Sequence, residues 1–324
     1  MLVNLEQASE LIQKGKVLHI AADQSLLDQL PKGKWVAGTI PYFITEEGGV
    51  TCKDRLFVNE IDCAIDYKIM KYDRNNIYDL TNDAYPNGMT FLILPFASDI
   101  AVYYAKEAPY MDDLLMNPTV GWISGFDLSA DASAKVYDGS TGEAYGDKAV
   151  ALHICLPEDK VASLGIVNIF NIDDYDTKIE FTEDTLSVTS CLINGEEKYL
   201  SDYIIENKID TQLPLIADYN GSLINVSIKS ISQENKTVEL YAPVFSGKEY
   251  HFASPVSDYA ASFEENLKTV KDIEPIFSCN CILNYLYGKL EGKSTPPFSG
   301  PVTFGEVAYQ LLNQTLVYAE IKEK

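Results

Sequence analysis

The chain has 324 residues, with 25 Lys and Arg against 48 Asp and Glu, for a formal net charge of −23. Hydrophobic residues make up 46% and charged residues 23%, the balance of a globular protein and too apolar for a disordered one. A surface this acidic repels duplex nucleic acid and anionic membranes, so neither is an expected partner, and the length predicts two domains or one large one.

Glu6 and Glu10 stand where a signal peptide needs an apolar core. The run Phe91–Ala97 is far below the roughly 20 apolar residues that span a bilayer. The expected location is therefore the cytoplasm, where the Asn-x-Ser/Thr tripeptides at Asn220, Asn225, Asn235 and Asn313 carry no glycan.

A helix is expected over residues 4–14, capped by Asn4 and closed at Gly15. A strand (17–22) and a short helix (25–30) follow. Strands are then predicted at 35–44, 63–72, 90–95, 120–125, 149–155 and 165–170, rich in β-branched and aromatic residues and bounded by turn formers. Helices fit 99–106 and 109–116. Segment 127–148 reads as a loop or hairpin with a short strand at 134–137. Residues 171–185 form an acidic, solvated stretch. Beyond it come a helix (196–206) and a hairpin of 222–231 with 237–241. The clearest helix starts at Ser254 as N-cap with Pro255 next, and its apolar face runs from Val256 to Val270. A strand (275–278), a helix (280–287), a proline-broken loop (293–300) and strands at 302–304 and 315–321 close the chain. No repeat with a period of 20–50 residues is visible. Many strands with few helices argue for an α+β class or a mixed-sheet α/β fold.

The six cysteines are scattered and form no CxxC or Cys/His cluster, and His19, His153 and His251 lack metal-ligand spacing. No metal and no cofactor is expected. No phosphate loop, dinucleotide fingerprint or nucleophile elbow is present.

Three segments could carry chemistry. In Ile276–Cys281 an expected strand runs into an expected helix, which would put Ser278, Cys279 and Asn280 at a helix N-terminus. Free N–H groups there favour an anion and lower a thiol pKa; equally, Ser278 or Asn280 caps the helix while Cys279 packs. In Phe298–Ala308, Glu306 is an isolated acid that either binds an amine or anchors a loop. In Gly121–Asp131, Ser124, Gly125 and Ser129 allow close approach to a ligand or form a plain turn, and Asp127 and Asp131 could pair. No histidine is tied to Cys279 as a base, so no catalytic residue is assigned.

These segments, in this order, resemble the FIST family. Phe277-Ser278-Cys279 is similar to its Phe-Ser-Cys strand end, Gly305-Glu306-Val307 to its Gly-Glu-Ile/Val segment, and Asn313-Gln314-Thr315-Leu316-Val317 to its closing strand. Val244-Phe245-Ser246-Gly247-Lys248 resembles the turn before its helix. Ser124-Gly125-Phe126-Asp127, Lys135-Val136-Tyr137-Asp138-Gly139 and Ala149-Val150-Ala151-Leu152 resemble its N-terminal glycine stretch, hairpin and strand. The Arg that follows Ser-Cys in the family is absent from Cys281-Ile282-Leu283-Asn284.

The resemblance implies two related strand-rich parts, an N-terminal domain over 1–195 and a C-terminal one over 196–324, with a pocket between them. It implies a non-catalytic sensory domain that binds an amino acid or similar metabolite and signals through a protein partner. Ser124, Gly125, Ser129, Ser278, Cys279, Asn280 and Glu306 are the candidate ligand-binding residues. Two alternatives stay open: an enzyme acting on a small metabolite through Cys279 or through Asp127 and Glu306, and a scaffold without a ligand.

Overall fold

Local chemistry starts the first helix, Leu5–Gln13. The Asn4 side chain accepts from the Gln7 N–H, and the Gln7 side chain returns to the Asn4 N–H, a reciprocal cap worth about 1 kcal/mol. The computed structural model describes residues 1–219 and 222–324, so Asn220 of the first glycosylation tripeptide lies outside the described residues. The fold is α+β, with short helices on mixed sheets. No helix among the described residues is long and apolar enough to cross a membrane.

One unit occurs three times: a lead strand, a helix, a first parallel strand, a second helix, a second parallel strand, a hairpin and a return strand. The first repeat uses Leu2–Val3, Leu5–Gln13, Leu18–Ala22, Gln24–Leu27, Trp35–Thr39, Tyr42–Thr45 with Gly48–Thr51, and Leu56–Glu60. The second uses Asp66–Tyr72, Asp79–Asp83, Gly88–Pro95, Asp99–Glu107, Thr119–Ser124, Val136–Asp138 with Glu143–Tyr145, and Ala149–Cys155. The third uses Lys160–Val167, Tyr259–Lys268, Phe277–Cys281, Ile282–Tyr287, Gly300–Thr303, Glu306–Ala308 with Gln310–Leu312, and Leu316–Glu323.

In each repeat the two parallel strands pair, the return strand runs antiparallel along the first, and the lead strand lies outside it. The hairpin pairs with a different repeat. Val136 of the second repeat lies opposite Gly38 of the first, Glu306 of the third opposite Trp122 of the second, and Ile44 of the first opposite Gly300 of the third. The exchange is cyclic, and each of these three six-stranded sheets holds four strands of one repeat and two of another.

The registers coincide as well. Thr39, Ser124 and Thr303 end the second parallel strands, all buried, opposite Ala22, Pro95 and Cys281. Three positions earlier stand Val36, Gly121 and Gly300. A Cβ at Gly121 would lie 1.8 Å from the Leu92 carbonyl oxygen, and one at Gly300 1.9 Å from that of Ser278. Two repeats thus bring the paired backbones together at the same place.

The third repeat is interrupted between its lead strand and its first helix. The insertion, Ile179–Phe252, folds a six-stranded and a three-stranded sheet around its own core of Phe181, Leu200, Ile204, Val238 and Tyr250. Buried polar contacts fasten it to the repeats: Asn225 Nδ2 donates to the Asn313 carbonyl (3.2 Å) and Ser227 Oγ to Gln314 Oε1 (2.7 Å).

Several expectations change here. The boundary at 195/196 falls in the turn of a hairpin between Ser190–Ile193 and Glu196–Tyr199, and the last strand pairs along Lys160–Val167. Packing instead gives the insertion a core of its own beside a body of three repeats, whose core it also joins through Leu213, Ile216 and Ile224. The expected strand 35–44 breaks at Ile40-Pro41, because its halves join different sheets. Residues 109–116 form only 3₁₀ turns, with Pro109 in the first. Glu196–Tyr199 is strand, and the helix expected from 196 begins at Leu200. The long helix begins at Tyr259, capped by the Asp258 side chain on the Ala261 N–H, so Ser254 and Pro255 precede it.

The cyclic exchange predicts one cooperative unfolding transition for the body, followed by chemical denaturation. Gly121→Ala and Gly300→Ala should each cost about 3 kcal/mol or more, since backbone must move. Gly195→Ala, at φ +80° with nothing within 4 Å, should cost only about 1 kcal/mol.

Candidate functional site

The parallel strands of the second and third repeats end together, and the chain leaving them closes a cavity of about 150 Å³ under the insertion. Phe96 follows the first parallel strand of the second repeat and Phe126 its second. Phe304 follows the second parallel strand of the third repeat. The three rings meet edge to face, with centroids 6.3, 5.0 and 5.4 Å apart. Leu128, Ile282 and Leu283 extend this apolar wall, and Cys281, Asn313, Tyr241 and Lys229 supply its polar atoms. The ends of parallel strands are where α/β sheets commonly hold ligands.

Each wall has a physical support. Gly125 is needed because a Cβ there would lie 2.6 Å from the Phe304 ring. The loop carrying Phe126 and Leu128 is pinned by Asp127, which pairs with Lys53 at 2.5 Å and accepts from the Ser129 N–H and hydroxyl. Lys53 and those donors hold the Asp127 carboxyl well below the usual range. Tyr42 OH accepts from the Leu128 N–H at 2.9 Å.

Two features of the lining stand out chemically. Asn313 is buried, and its Oδ1 has no hydrogen-bond partner among the described residues. Lys229 is exposed, and its side chain makes no ion pair or hydrogen bond with a described residue. A buried acceptor without a donor costs about 1–3 kcal/mol, which a ligand donor would recover.

Behind the cavity lies a second buried group. Glu306 is fully buried; its Oε2 accepts from Thr315 Oγ1 (2.9 Å) and the Thr315 N–H (3.3 Å), and its Oε1 from Thr303 Oγ1 (3.2 Å). Burial pushes its carboxyl up to about 8 despite these donors. Burial and the nearby Glu306 charge push the thiols of Cys279 and Cys281 well up, so neither is a ready nucleophile.

The candidate residues read from the sequence do not converge. Ser278, Cys279 and Asn280 line a separate void of about 10 Å³, room for about one water. Ser278 and Cys279 sit mid-strand rather than at a helix start, because Phe277–Cys281 continues between two sheet partners and the helix begins at Ile282. Ser278 Oγ donates to the Ser299 carbonyl (2.9 Å), Cys279 Sγ to that of Gly121 (3.4 Å), and Asn280 Oδ1 accepts from Asn284 Nδ2 (2.8 Å). Ser129 is exposed in the Asp127 turn. Ser124 is buried, and its Oγ has no hydrogen-bond partner among the described residues. Of these residues, Gly125 packs against the Phe304 ring of the cavity wall, and Ser129 acts on it only through the Asp127 turn. Lys229, Tyr241 and Asn313 were not among the candidates. Asn313 opens the segment Asn313-Gln314-Thr315-Leu316-Val317 that resembles the FIST closing strand, whereas nothing in the strand pattern of the insertion marks Lys229 or Tyr241.

The chain belongs to the DUF6976 family. This is a family of unknown function, matched over residues 3–322, so the insertion and nearly all of the three repeats fall within it. None of the curated proteins matches the chain. Among the described residues of this DUF6976 protein, no group of three or more His, Cys, Asp or Glu could hold a metal ion.

Buried titratable groups make its stability pH-dependent in two directions. Burial lowers His19 to about 3 and His153 to about 4. Below pH 6.5 the unfolded chain therefore binds more protons at these sites, and their contribution is lost as pH falls. Between pH 4.5 and 8 the folded chain holds the Glu306 proton that the unfolded chain releases, so that contribution is lost as pH rises. Glu306→Gln should flatten the fall in Tm between pH 6.5 and 8 and leave the acid limb intact; an unchanged alkaline slope contradicts the assignment.

Proposed function

We propose that this protein is a non-catalytic, FIST-like sensor of a small metabolite, an amino acid with an apolar side chain or a closely similar acid. The observation that carries this reading is the pairing of a buried acceptor, Asn313 Oδ1, with a cation, Lys229, both without a side-chain partner among the described residues, across an aromatic wall. Lys229 takes the carboxylate, Asn313 Oδ1 accepts from the ammonium, and the Phe96–Phe126–Phe304 wall covers the side chain. The size fits a small ligand, since an apolar cavity of about 150 Å³ accommodates a benzene-sized molecule.

Two further points support the reading. The lining draws on both the repeats and the insertion, so occupancy would tie their positions together. That provides a route to a signalling partner. The free cysteines fit the reducing cytoplasm, where we place the protein. Against the enzymatic alternative stand the raised thiol pKa values and the structural use of Asp127, Ser129 and Ser278.

A thermal-shift screen of the common amino acids and short aliphatic and aromatic carboxylates tests this. A ligand at 100 times its Kd should add about 2.7 kcal/mol. Lys229→Ala should weaken it about tenfold while leaving the unliganded Tm unchanged, because Lys229 is exposed. If no compound raises Tm, or if Lys229→Ala binds equally well, the reading fails.

A further inference from the structure

The three lead strands occupy the same place in their sheets, at an outer edge, and can be compared directly. The first, Leu2–Val3, is two residues long. The second, Asp66–Tyr72, carries Lys68 and Lys71; Lys68 Nζ donates to the Asp83 carbonyl (3.0 Å), and Lys71 pairs with Asp138 (3.6 Å) and Glu143 (3.5 Å). Short length and lysines are how natural sheets keep an edge from pairing with another chain.

The third edge is long and carries a lysine only at its first residue. Lys160–Val167 is eight residues long and, after Lys160, reads Val-Ala-Ser-Leu-Gly-Ile-Val without a charge. Val161 and Ile166 are 39% and 38% exposed. The strand borders a groove of about 910 Å³ whose far wall is the loop after helix Asp99–Glu107. That loop exposes Tyr110, Leu115 and Met116 at 60%, 74% and 79%. Among the described residues the groove lining includes the carboxylates of Asp112 and Asp113 and no Lys, Arg or His, on a chain of net charge −23.

We propose that the Lys160–Val167 edge is the docking site for an extended, basic segment of a partner protein, which adds to the sheet as a further strand. Main-chain hydrogen bonds to the edge give the affinity. Alternate apolar side chains enter the groove between Ile166 and Leu115, and cations answer Asp112 and Asp113. A second copy of this chain is the poorer occupant, because it brings its own acidic charge to an acidic face. The site stands independently of the ligand cavity.

The test uses the full chain and two blocked eight-residue peptides, one alternating Val with Lys and the other Val with Glu. The Val/Lys peptide should bind in fluorescence anisotropy and slow amide exchange across 161–167, and the Val/Glu peptide should not. Ile166→Lys should weaken binding at least tenfold at unchanged Tm. Leu115→Lys, on the opposite wall, should do the same and serves if the first variant is unstable. The proposal is overturned by no binding, by equal binding of both peptides, or by binding indifferent to both variants. Sedimentation as a dimer with 161–167 already protected would overturn it in favour of a second copy.

Discussion

The structure depends on one unmet edge. In each repeat the second parallel strand has a partner on one side only, and the hairpin of another repeat fills the other side. Val136 on Gly38, Glu306 on Trp122 and Ile44 on Gly300 are the three closures. Because the exchange runs in a cycle, no repeat completes its sheet without another, and the three sheets must form together. Close approach of the paired strands explains why Gly121 and Gly300 recur at one position.

The closure also locates the cavity. Hairpin Glu306–Ala308 crosses onto the second repeat, and this puts Phe304, just before it, against Phe126 and Gly125. It also carries Glu306 into the core, where Thr303 and Thr315 bind it. Asn313 and Gln314, just after the hairpin, receive Asn225 and Ser227 of the insertion. The same short segment thus links two repeats, a buried acid, the cavity wall and the insertion. A ligand held between Asn313 and Lys229 would bridge all of them.

Much of the local structure was legible in the sequence. Capping at Asn4 and strand Ala149–Cys155 follow from side-chain pattern and turn chemistry, whereas of the hairpin expected over 222–241 only Ile228–Ser232 pairs with Thr237–Val244, and Ser222–Val226 joins Leu215–Tyr219 in another sheet. The α+β class follows from the many short strands. The threefold plan was not legible, because its equivalences lie in register rather than in residue identity. Val36-Ala37-Gly38-Thr39, Gly121-Trp122-Ile123-Ser124 and Gly300-Pro301-Val302-Thr303 share little beyond a closing hydroxyl, and the insertion makes their spacing unequal. The site was half legible. Ser124, Ser129, Cys279, Asn280 and Glu306 stand within a few residues of the cavity, yet Phe126, Cys281 and Phe304 form its wall. Strand alternation turns successive residues to opposite faces, and the sequence does not say which face meets the cavity. Lys229 and Tyr241 could not be read at all, since they arrive from the insertion, whose sheets pair with none of the three repeats.

A crystal structure of the full protein grown with a saturating apolar amino acid tests the central claim most directly. The account expects the ligand inside the Phe96–Phe126–Phe304 wall, its carboxylate on Lys229 and its ammonium within hydrogen-bond distance of Asn313 Oδ1. A cavity closed by its own side chains, with Asn313 Oδ1 satisfied by a protein donor, would contradict it.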